Sequence, residues 1–318
     1  MAKYWISYYT KSKKGELVFY FIILNRDGKH YLEKCIPSLI NQTYKKIKII
    51  IIDTFSKDGS IEYIKSLKNN KILLIEKERE RGYAYKNNIG IKIALKDKNC
   101  KAICLLNNDT KINKDFSKNI LIAIKKFKDC GIFSPKYFYF GTNKIQVAGG
   151  GYFTKEHPTG EKQIGSNEID KGQYNKYEKI DFAYGAGWTI TPKTFKKIGL
   201  LDNDWFLGFE EPDYCKRAIK NKINTLYVPN AIVEHAVGGT SKGKKKIGIK
   251  IKIKLVYARN YLRFLIKHYP LKRIIYYEVK RLITSMKKPH LIILELYSIV
   301  WNLLFLPKTI FARWRENG

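Results

Sequence analysis

The chain has 318 residues, 45% of them hydrophobic, which supplies apolar material for a large globular core and excludes a chain kept disordered by low hydrophobicity. Its formal net charge is +33, from 61 Lys and Arg against 28 Asp and Glu, so anionic partners are expected: lipid headgroups, phosphorylated substrates or nucleic acid. The five cysteines, odd in number and without a CxxC pair, exclude a small disulfide-stapled scaffold and fit a reducing cytoplasm.

The N-terminal segment sets lysines ahead of a short apolar run that continues into NRDGKHYLEKC with no small-residue cleavage site, so Leu17 to Leu24 is expected as a first strand and not as a secretion signal. Helical spacing follows from Tyr31 to Ile40, and five isoleucines around one lysine make a second strand from Ile47 to Ile52, ending at Asp53. The alternation repeats with a helix from Gly59 to Leu67, a strand from Ile72 to Ile75, a helix from Asn87 to Leu95 and a strand from Ala102 to Leu106. Unbroken Val/Ile/Leu runs of this kind belong to strands buried on both faces, which predicts an α/β fold with a mostly parallel sheet covered by helices. Ligands of such sheets bind beyond the carboxyl ends of the strands. The polar groups Asn25 to Gly28, Asp53 to Ser60 and Asn107 to Thr110 are therefore expected to converge along one edge.

Beyond residue 130 the regular alternation stops. The glycines at 149 to 151, the polar stretch from Lys155 to Lys179 and DFAYGAGWTI from Asp181 predict longer loops with mixed strands in the same domain. A helix opens near Glu210 and carries Tyr214, Cys215, Ala218 and Ile219. The domain is expected to span 1–245 and a basic amphipathic helical region 246–318.

Three groups of residues carry chemistry. Asp53 can accept hydrogen bonds from a nucleobase N–H or ribose hydroxyls, or serve the following helix, for which Asp58 is the expected cap. Asp109 alone reads more readily as a cap or turn residue. With His235 in VPNAIVEHAVGGTS it forms an oxygen–nitrogen pair suited to manganese or magnesium, a partial shell that a diphosphate would complete. Glu210, Glu211 and Asp213 open a helix, where the dipole favours them. Their mutual repulsion raises at least one pKa, as a general base for a sugar hydroxyl requires.

In this order, VFYFIILNRDGKHYLEKCIPSLINQTYKKIKIIIIDTFSKDGSIEYI, ERGYAYKNNIGI, LLNNDT, YGAGWTITPKTFKKIGLLD, FLGFEEPDYCKRA and VEHAVGGTS resemble glycosyltransferase family 2 enzymes of GT-A fold, and most of all their rhamnosyltransferase-like branch, over residues 17 to 265. Each segment is weak alone; the set in order is specific. The resemblance implies that Asp53 contacts the base, and that Gly82, Tyr83, Ala84 and Asn88 line the nucleotide. Asn25, Asn107, Asn108, Gly185 and Trp188 complete the nucleotide-sugar site on this reading. Asn107 to Asp109 stand where the family has Asp-x-Asp, with Asn107 replacing the first acid, so Asp109 is the implied metal ligand and His235 matches the histidine near the diphosphate. Glu210 and Glu211 match a Glu-Asp pair whose second member is the base, which points to Glu211. Glu211 is one methylene longer than the usual Asp, and Asp213 is the substitute. Tyr85 and Lys86 replace residues that are usually small. The implied reaction is an inverting transfer, with a divalent metal, from a UDP- or dTDP-sugar, GDP remaining compatible, to a glycan or polyprenyl-linked acceptor in surface polysaccharide or glycoconjugate synthesis.

From Ser241 to the end there are 19 Lys and Arg against 3 Glu, a net +16 that leaves +17 for the first 240 residues. The run from Leu291 to Pro307 stands at the lower length limit for a membrane span and contains Glu295. Helices lying on an anionic membrane, peripheral on its cytoplasmic face, are expected; a packed helical subdomain is the competing reading. Arg259 and Asn260 match an Arg-Asn pair that follows the catalytic domain in this branch, either touching acceptor or bracing the helix. A basic nucleic-acid-binding protein is the rival class, but the 23 tyrosines are scattered and no reading module is present, so no nucleic-acid partner is expected.

Overall fold

A computed structural model of the chain describes residues 3–5, 17–76, 79–160, 162–236, 247–286 and 289–310. Its first half runs β1 (Lys3–Trp5), β2 (Val18–Asn25), α1 (Lys29–Ile40), β3 (Ile47–Asp53), α2 (Ser60–Ser66), β4 (Ile72–Glu76), α3 (Tyr83–Leu95) and β5 (Cys100–Asn107). The middle adds β6 (Thr110–Ile112), α4 (Phe116–Lys126), β7 (Cys130–Tyr139), β8 (Ile145–Ala148), β9 (Gly150–Gly151), β10 (Glu178–Ile180), β11 (Phe182–Ala183), β12 (Gly187–Ile190), α5 (Pro192–Ile198), α6 (Glu210–Lys220) and β13 (Asn224–His235). Three helices close it: α7 (Ile247–His268), α8 (Leu271–Met286) and α9 (Pro289–Leu304).

The main sheet has the order β1-β4-β3-β2-β5-β12-β7-β13-β10, with β6 paired to β13 and β8 to β7. Its β4-β3-β2-β5 portion is parallel, and β12 enters antiparallel between β5 and β7. The two-residue side-chain period splits the isoleucine-rich strands between two cores. Phe19, Phe21, Ile49 and Ile51 face α1, α2 and α4; Tyr20, Ile22, Ile50 and Ile52 face α3, α5 and α6. Such strands have no solvent face, which is why their sequence is continuously apolar. Chain order reverses between β2 and β5, and in an α/β sheet the ligand crevice opens at that switch point.

Two elements differ from expectation. The strand β1 pairs antiparallel with β4, so the sheet begins ahead of the first apolar run. Helix α3 starts at Tyr83, four residues earlier than its spacing predicts. Gly82 has φ +86, and a Cβ there would stand 2.6 Å from the Phe206 carbonyl oxygen. Tyr83 N–H donates to that same carbonyl (3.1 Å), so a tertiary contact opens the helix early.

The boundary expected at 245/246 falls outside the described residues. Helix α7 packs onto the sheet-bearing body: Phe264, Leu265 and Tyr269 form a core cluster with Trp205 and Tyr277. Beside this cluster Lys267 Nζ lies 2.8 Å from Asp202 and 2.7 Å from Asp213, and His268 Nε2 is 2.9 Å from Asp213. Asn260 Nδ2 donates to the Leu207 carbonyl (3.1 Å), so Asn260 braces the turn ahead of α6. Arg259 lies over the Trp301 ring at 4.7 Å. Among the described residues no helix is long and apolar enough to cross a membrane.

Lys267→Met removes the cation from between two buried carboxylates. A loss of about 3–5 kcal/mol is expected in urea unfolding, because the two buried carboxylates are then left with only Arg217 and Arg263; a loss below about 1 kcal/mol would mean that those two arginines suffice.

Candidate active site

The strand ends at the switch point are tied by side chains. Asn25 stands in register with Asp53, and Leu24 with Asn107. Asn108 Nδ2 donates to Asn25 Oδ1 (2.8 Å), and Asn25 Nδ2 donates to Asp53 Oδ2 (2.8 Å). Ser56 donates to Asp53 through its backbone N–H (2.9 Å) and its hydroxyl (2.6 Å). Asp53 is fully buried with both carboxylate oxygens engaged inside the protein. Asp58, the expected cap of α2, stands one residue ahead of the actual N-cap, Gly59; it accepts from Ser60 N–H (3.1 Å) and from Lys29 N–H (2.7 Å) at the start of α1.

Asp109 and His235, from opposite halves of the chain, are brought together by backbone pairing. Strand β6 runs antiparallel to β13 with Thr110 opposite His235, and Ala236 N–H donates to the Asp109 carbonyl (2.9 Å). The side chains then meet with His235 Nε2 3.3 Å from Asp109 Oδ1, both buried. On the other side of the ring, Gln146 Nε2 donates to the Tyr184 hydroxyl (2.6 Å) and turns its carbonyl oxygen to His235 Nδ1 (3.0 Å). Nδ1 therefore carries a proton, and Nε2, which is buried without a hydrogen-bond partner among the described residues, aims at Asp109. A histidine held by one nitrogen on an amide carbonyl with its other nitrogen facing a carboxylate is the arrangement a divalent cation takes up.

The acids of α6 separate by environment. Phe209 at the helix N-cap adopts a left-handed φ of +75, which turns the chain so that Glu210 and Glu211 line a cavity of about 450 Å³ together with Asn107, His235, Tyr83 and Gly185. Burial pushes the Glu211 carboxyl up to about 7. Burial, and then the neighbouring Glu211 charge, push Glu210 well above the ordinary glutamate range. Glu211 lies against Gly185: a Cβ there would fall 1.7 Å from Glu211 Oε1, so only glycine leaves the carboxylate its place. Tyr83 O–H donates to the Gly185 carbonyl (3.3 Å) and closes that wall.

Other predicted residues lie elsewhere. Asp213 is turned away from the cavity into the contact with α7; burial opposes its ionisation, but Lys267 and then Arg217 outweigh that and hold it well below the usual carboxylate range. A carboxyl so firmly ionised is a poor proton acceptor, which removes Asp213 as the substitute base. Trp188 is fully buried in β12 with its ring edge-on to Tyr214 and does not line the cavity. Ala84 is core. Asn88 fastens α3 to the loop after α5 through Leu201 N–H (3.1 Å), the Leu201 carbonyl (2.8 Å) and Asn203 (2.7 Å). Gln146, Tyr184 and Tyr257 were not singled out from sequence. Tyr184 directly precedes Gly185 and Gln146 is the one polar residue of β8, which are local signals; Tyr257 reaches the cavity from the basic C-terminal region and has none.

The sequence model described as Glycosyl transferase family 2 matches residues 20–198, more than half of the chain. The chain belongs to glycosyl transferase family 2. This glycosyltransferase is 27% identical over 196 residues to the low-salt glycan biosynthesis hexosyltransferase Agl10 of Haloferax volcanii, a match covering 60% of each chain. It is 23% identical over 243 residues to the dTDP-rhamnosyl transferase RfbF of Shigella flexneri, covering 74% of this chain and 70% of that one. The crystal structure of GalNAc-T7 with UDP, GalNAc and Mn2+ superposes with a TM-score of 0.60 at 17% identity, over 80% of this chain and 48% of that one. The fold is GT-A, as the motifs imply.

Two outcomes follow from Glu211. Gly185→Ala should displace its carboxylate and lower turnover by about 100-fold in steady-state assays. Folded Glu211 titrates near 7 and its ordinary value is 4.5, so across that window the folded chain holds a proton that the unfolded chain has released. Its contribution to stability therefore falls as pH rises through the window. Glu211→Gln should flatten this slope and raise stability at pH 8 by on the order of 3 kcal/mol in urea unfolding.

Proposed function

We propose that this glycosyltransferase performs a single inverting displacement with Glu211 as general base. The observation that carries the reading is that Glu211 and His235, the latter paired with Asp109, open onto one cavity. Glu211 accepts the proton of an acceptor hydroxyl as that oxygen bonds to the anomeric carbon. The bond from the anomeric carbon to the diphosphate oxygen breaks on the opposite face, so configuration inverts. Glu210 remains protonated beside Glu211 and keeps the pair from carrying two repelling charges. A divalent cation, manganese or magnesium, held by Asp109 and His235 would neutralise charge on the leaving diphosphate. Among the described residues no group of three His, Cys, Asp or Glu side chains assembles to hold a metal, so the diphosphate and water would complete the shell.

The donor is a nucleoside-diphosphate sugar of UDP or dTDP type, with GDP compatible. The name of RfbF, which specifies dTDP-rhamnose, and the UDP and Mn2+ in the GalNAc-T7 structure support this class. The tie among Asn108, Asn25 and Asp53 forms the floor under the nucleotide, with Gly82 at its edge. The acceptor is a glycan or polyprenyl-linked glycan of a surface polysaccharide or glycoconjugate, met at an anionic membrane on its cytoplasmic face, where the +16 of the last 78 residues would hold the protein peripherally.

Asp109→Ala should abolish manganese-dependent transfer while leaving the fold intact, because β6 pairs with β13 through its backbone; near-native turnover would refute the metal assignment. Glu211→Gln should lower turnover by roughly 10²–10⁴-fold with donor binding retained, and a fully active variant would move the base elsewhere. The rate should rise with pH through about 7 as Glu211 loses its proton, a limb that Glu211→Gln removes.

A further inference from the structure

Helices α8 and α9 are built inside out. On α9 the polar residues are the buried ones: Ser298 Oγ donates to the Ala258 carbonyl (2.8 Å), Asn302 Nδ2 donates to the Arg259 carbonyl (2.9 Å), and Glu295 pairs with Arg281. The residues it exposes most are aliphatic. Ile293, Leu296, Val300, Leu303 and Leu304 follow helical spacing along one face, with exposures from 56% to 72%. A parallel stripe runs along α8 through Leu271, Ile275, Val279, Ile283 and Met286, each at least 49% exposed. The two helices pack against each other, so both stripes belong to one hairpin. Single exposed leucines are ordinary, but a continuous apolar face of two helices is not what a soluble monomer leaves in water.

The charges identify what covers it. The acids of these helices, Glu278 and Glu295, are drawn inward against Arg281, whereas Lys272, Arg273 and Lys280 are exposed. The outer surface of the hairpin, among the described residues, is thus aliphatic and cationic without an exposed carboxylate. That combination complements an anionic lipid leaflet, whose acyl region accepts the aliphatic stripes and whose headgroups accept the lysines and arginine. With 16 residues, α9 is about 24 Å long, short of the roughly 30 Å hydrocarbon core, so it lies in the plane of the leaflet.

We infer that the α8–α9 hairpin is the membrane-docking surface of this enzyme, sunk into an anionic leaflet through its two aliphatic stripes. The inference rests on the proposal that transfer occurs at a membrane and names the element that makes the contact. It also orients the cavity. Tyr257 of α7 lines the cavity, and the next two residues, Ala258 and Arg259, give their carbonyls to α9. One turn of α7 therefore joins the docked hairpin to the rim near Glu211. A lipid-linked acceptor anchored in the same leaflet presents its glycan to the cavity from that side.

The test is co-flotation of the full-length protein, without donor or acceptor, with vesicles of phosphatidylglycerol and phosphatidylcholine or of phosphatidylcholine alone. Wild type should float with the anionic vesicles and at least ten-fold less with neutral ones. The double variant Leu296→Glu, Leu303→Glu should lose at least ten-fold of this binding with an unchanged thermal midpoint and unchanged donor hydrolysis in the absence of vesicles, since both side chains are solvent-exposed. Lys272→Gln with Arg273→Gln should weaken only the anionic-vesicle binding. Failure of wild type to float, or equal flotation of the double variant, would overturn the inference. A dimer in gel filtration that the double variant breaks, without vesicle binding, would overturn it in favour of a second copy on this face. A protein that floats but transfers no sugar would count against the catalytic reading alone, and one that transfers to a soluble acceptor but does not float would count against docking alone.

Discussion

The arrangement of the proposed acceptor side depends on one buried ionic contact, that of Asp213 with Lys267 and Arg217, to which His268, kept neutral by burial, adds a hydrogen bond. Asp213 sits one turn into α6, and the first turn of the same helix carries Glu210 and Glu211. Neutralising Asp213 from α7 fixes how α6 leans on the sheet, and with it where the proposed base lies over Gly185. Burying such charges gives little net stability against an apolar substitute, but breaking the set is costly, so the contact acts as a geometric constraint. Arg263 extends it to Asp202 and Asp204. The loop from 202 to 209 is thereby held between α7 and the start of α3, where Phe206 meets Gly82 and Tyr83.

The proposed donor and acceptor sides are built by different physics. The donor side is a row of strand ends whose positions follow from parallel pairing, with Asn108, Asn25 and Asp53 joined by neutral and charge-assisted hydrogen bonds. The acceptor side is made of a left-handed turn, a helix start and one tyrosine from the C-terminal helices. Its carboxyls are shifted upward by burial, because the cavity gives them few hydrogen-bond donors; Glu210 Oε1 has no hydrogen-bond partner among the described residues. The two sides thus hold carboxylates in opposite states: Asp53 hydrogen-bonded on both oxygens, and Glu211 exchanging its proton near neutrality.

Much of this was legible in the sequence, and the limits follow from what a sequence pattern encodes. The isoleucine run of β3 announces a strand without a solvent face, and the polar residues after β2, β3 and β5 must then share an edge. Asp109 with His235 was legible because acids and histidines at strand ends are unusual enough to be paired by motif. Asp213 and Trp188 fall outside the cavity lining because a motif gives spacing along the chain and not the side on which each residue stands. On α6 the helical turn sends Glu211 and Asp213 in different directions, and at β12 the pleat buries Trp188 in the core while Gly185, ahead of the strand, lines the cavity. The early start of α3 and the reach of Tyr257 come from contacts with Phe206 and with α9, remote in sequence and invisible to any local window. For residues 247–310 the two readings divide: α7 is a packed element, whereas α8 and α9 turn aliphatic stripes outward.

The pairing of β6 with β13 carries a further implication about error. Side chains alternate along a strand, so sliding β13 by one residue would withdraw His235 from Asp109 and offer Glu234 or Ala236 instead. Glu234 in that position would confront Asp109 with a second negative charge. It is anchored on the outer side instead, where Lys111 (3.4 Å) and the Gly141 N–H (3.0 Å) hold its carboxylate. The alternative alignment is thus penalised at both ends, by repulsion within and by two lost partners without. The edge of the sheet protects its own reading frame.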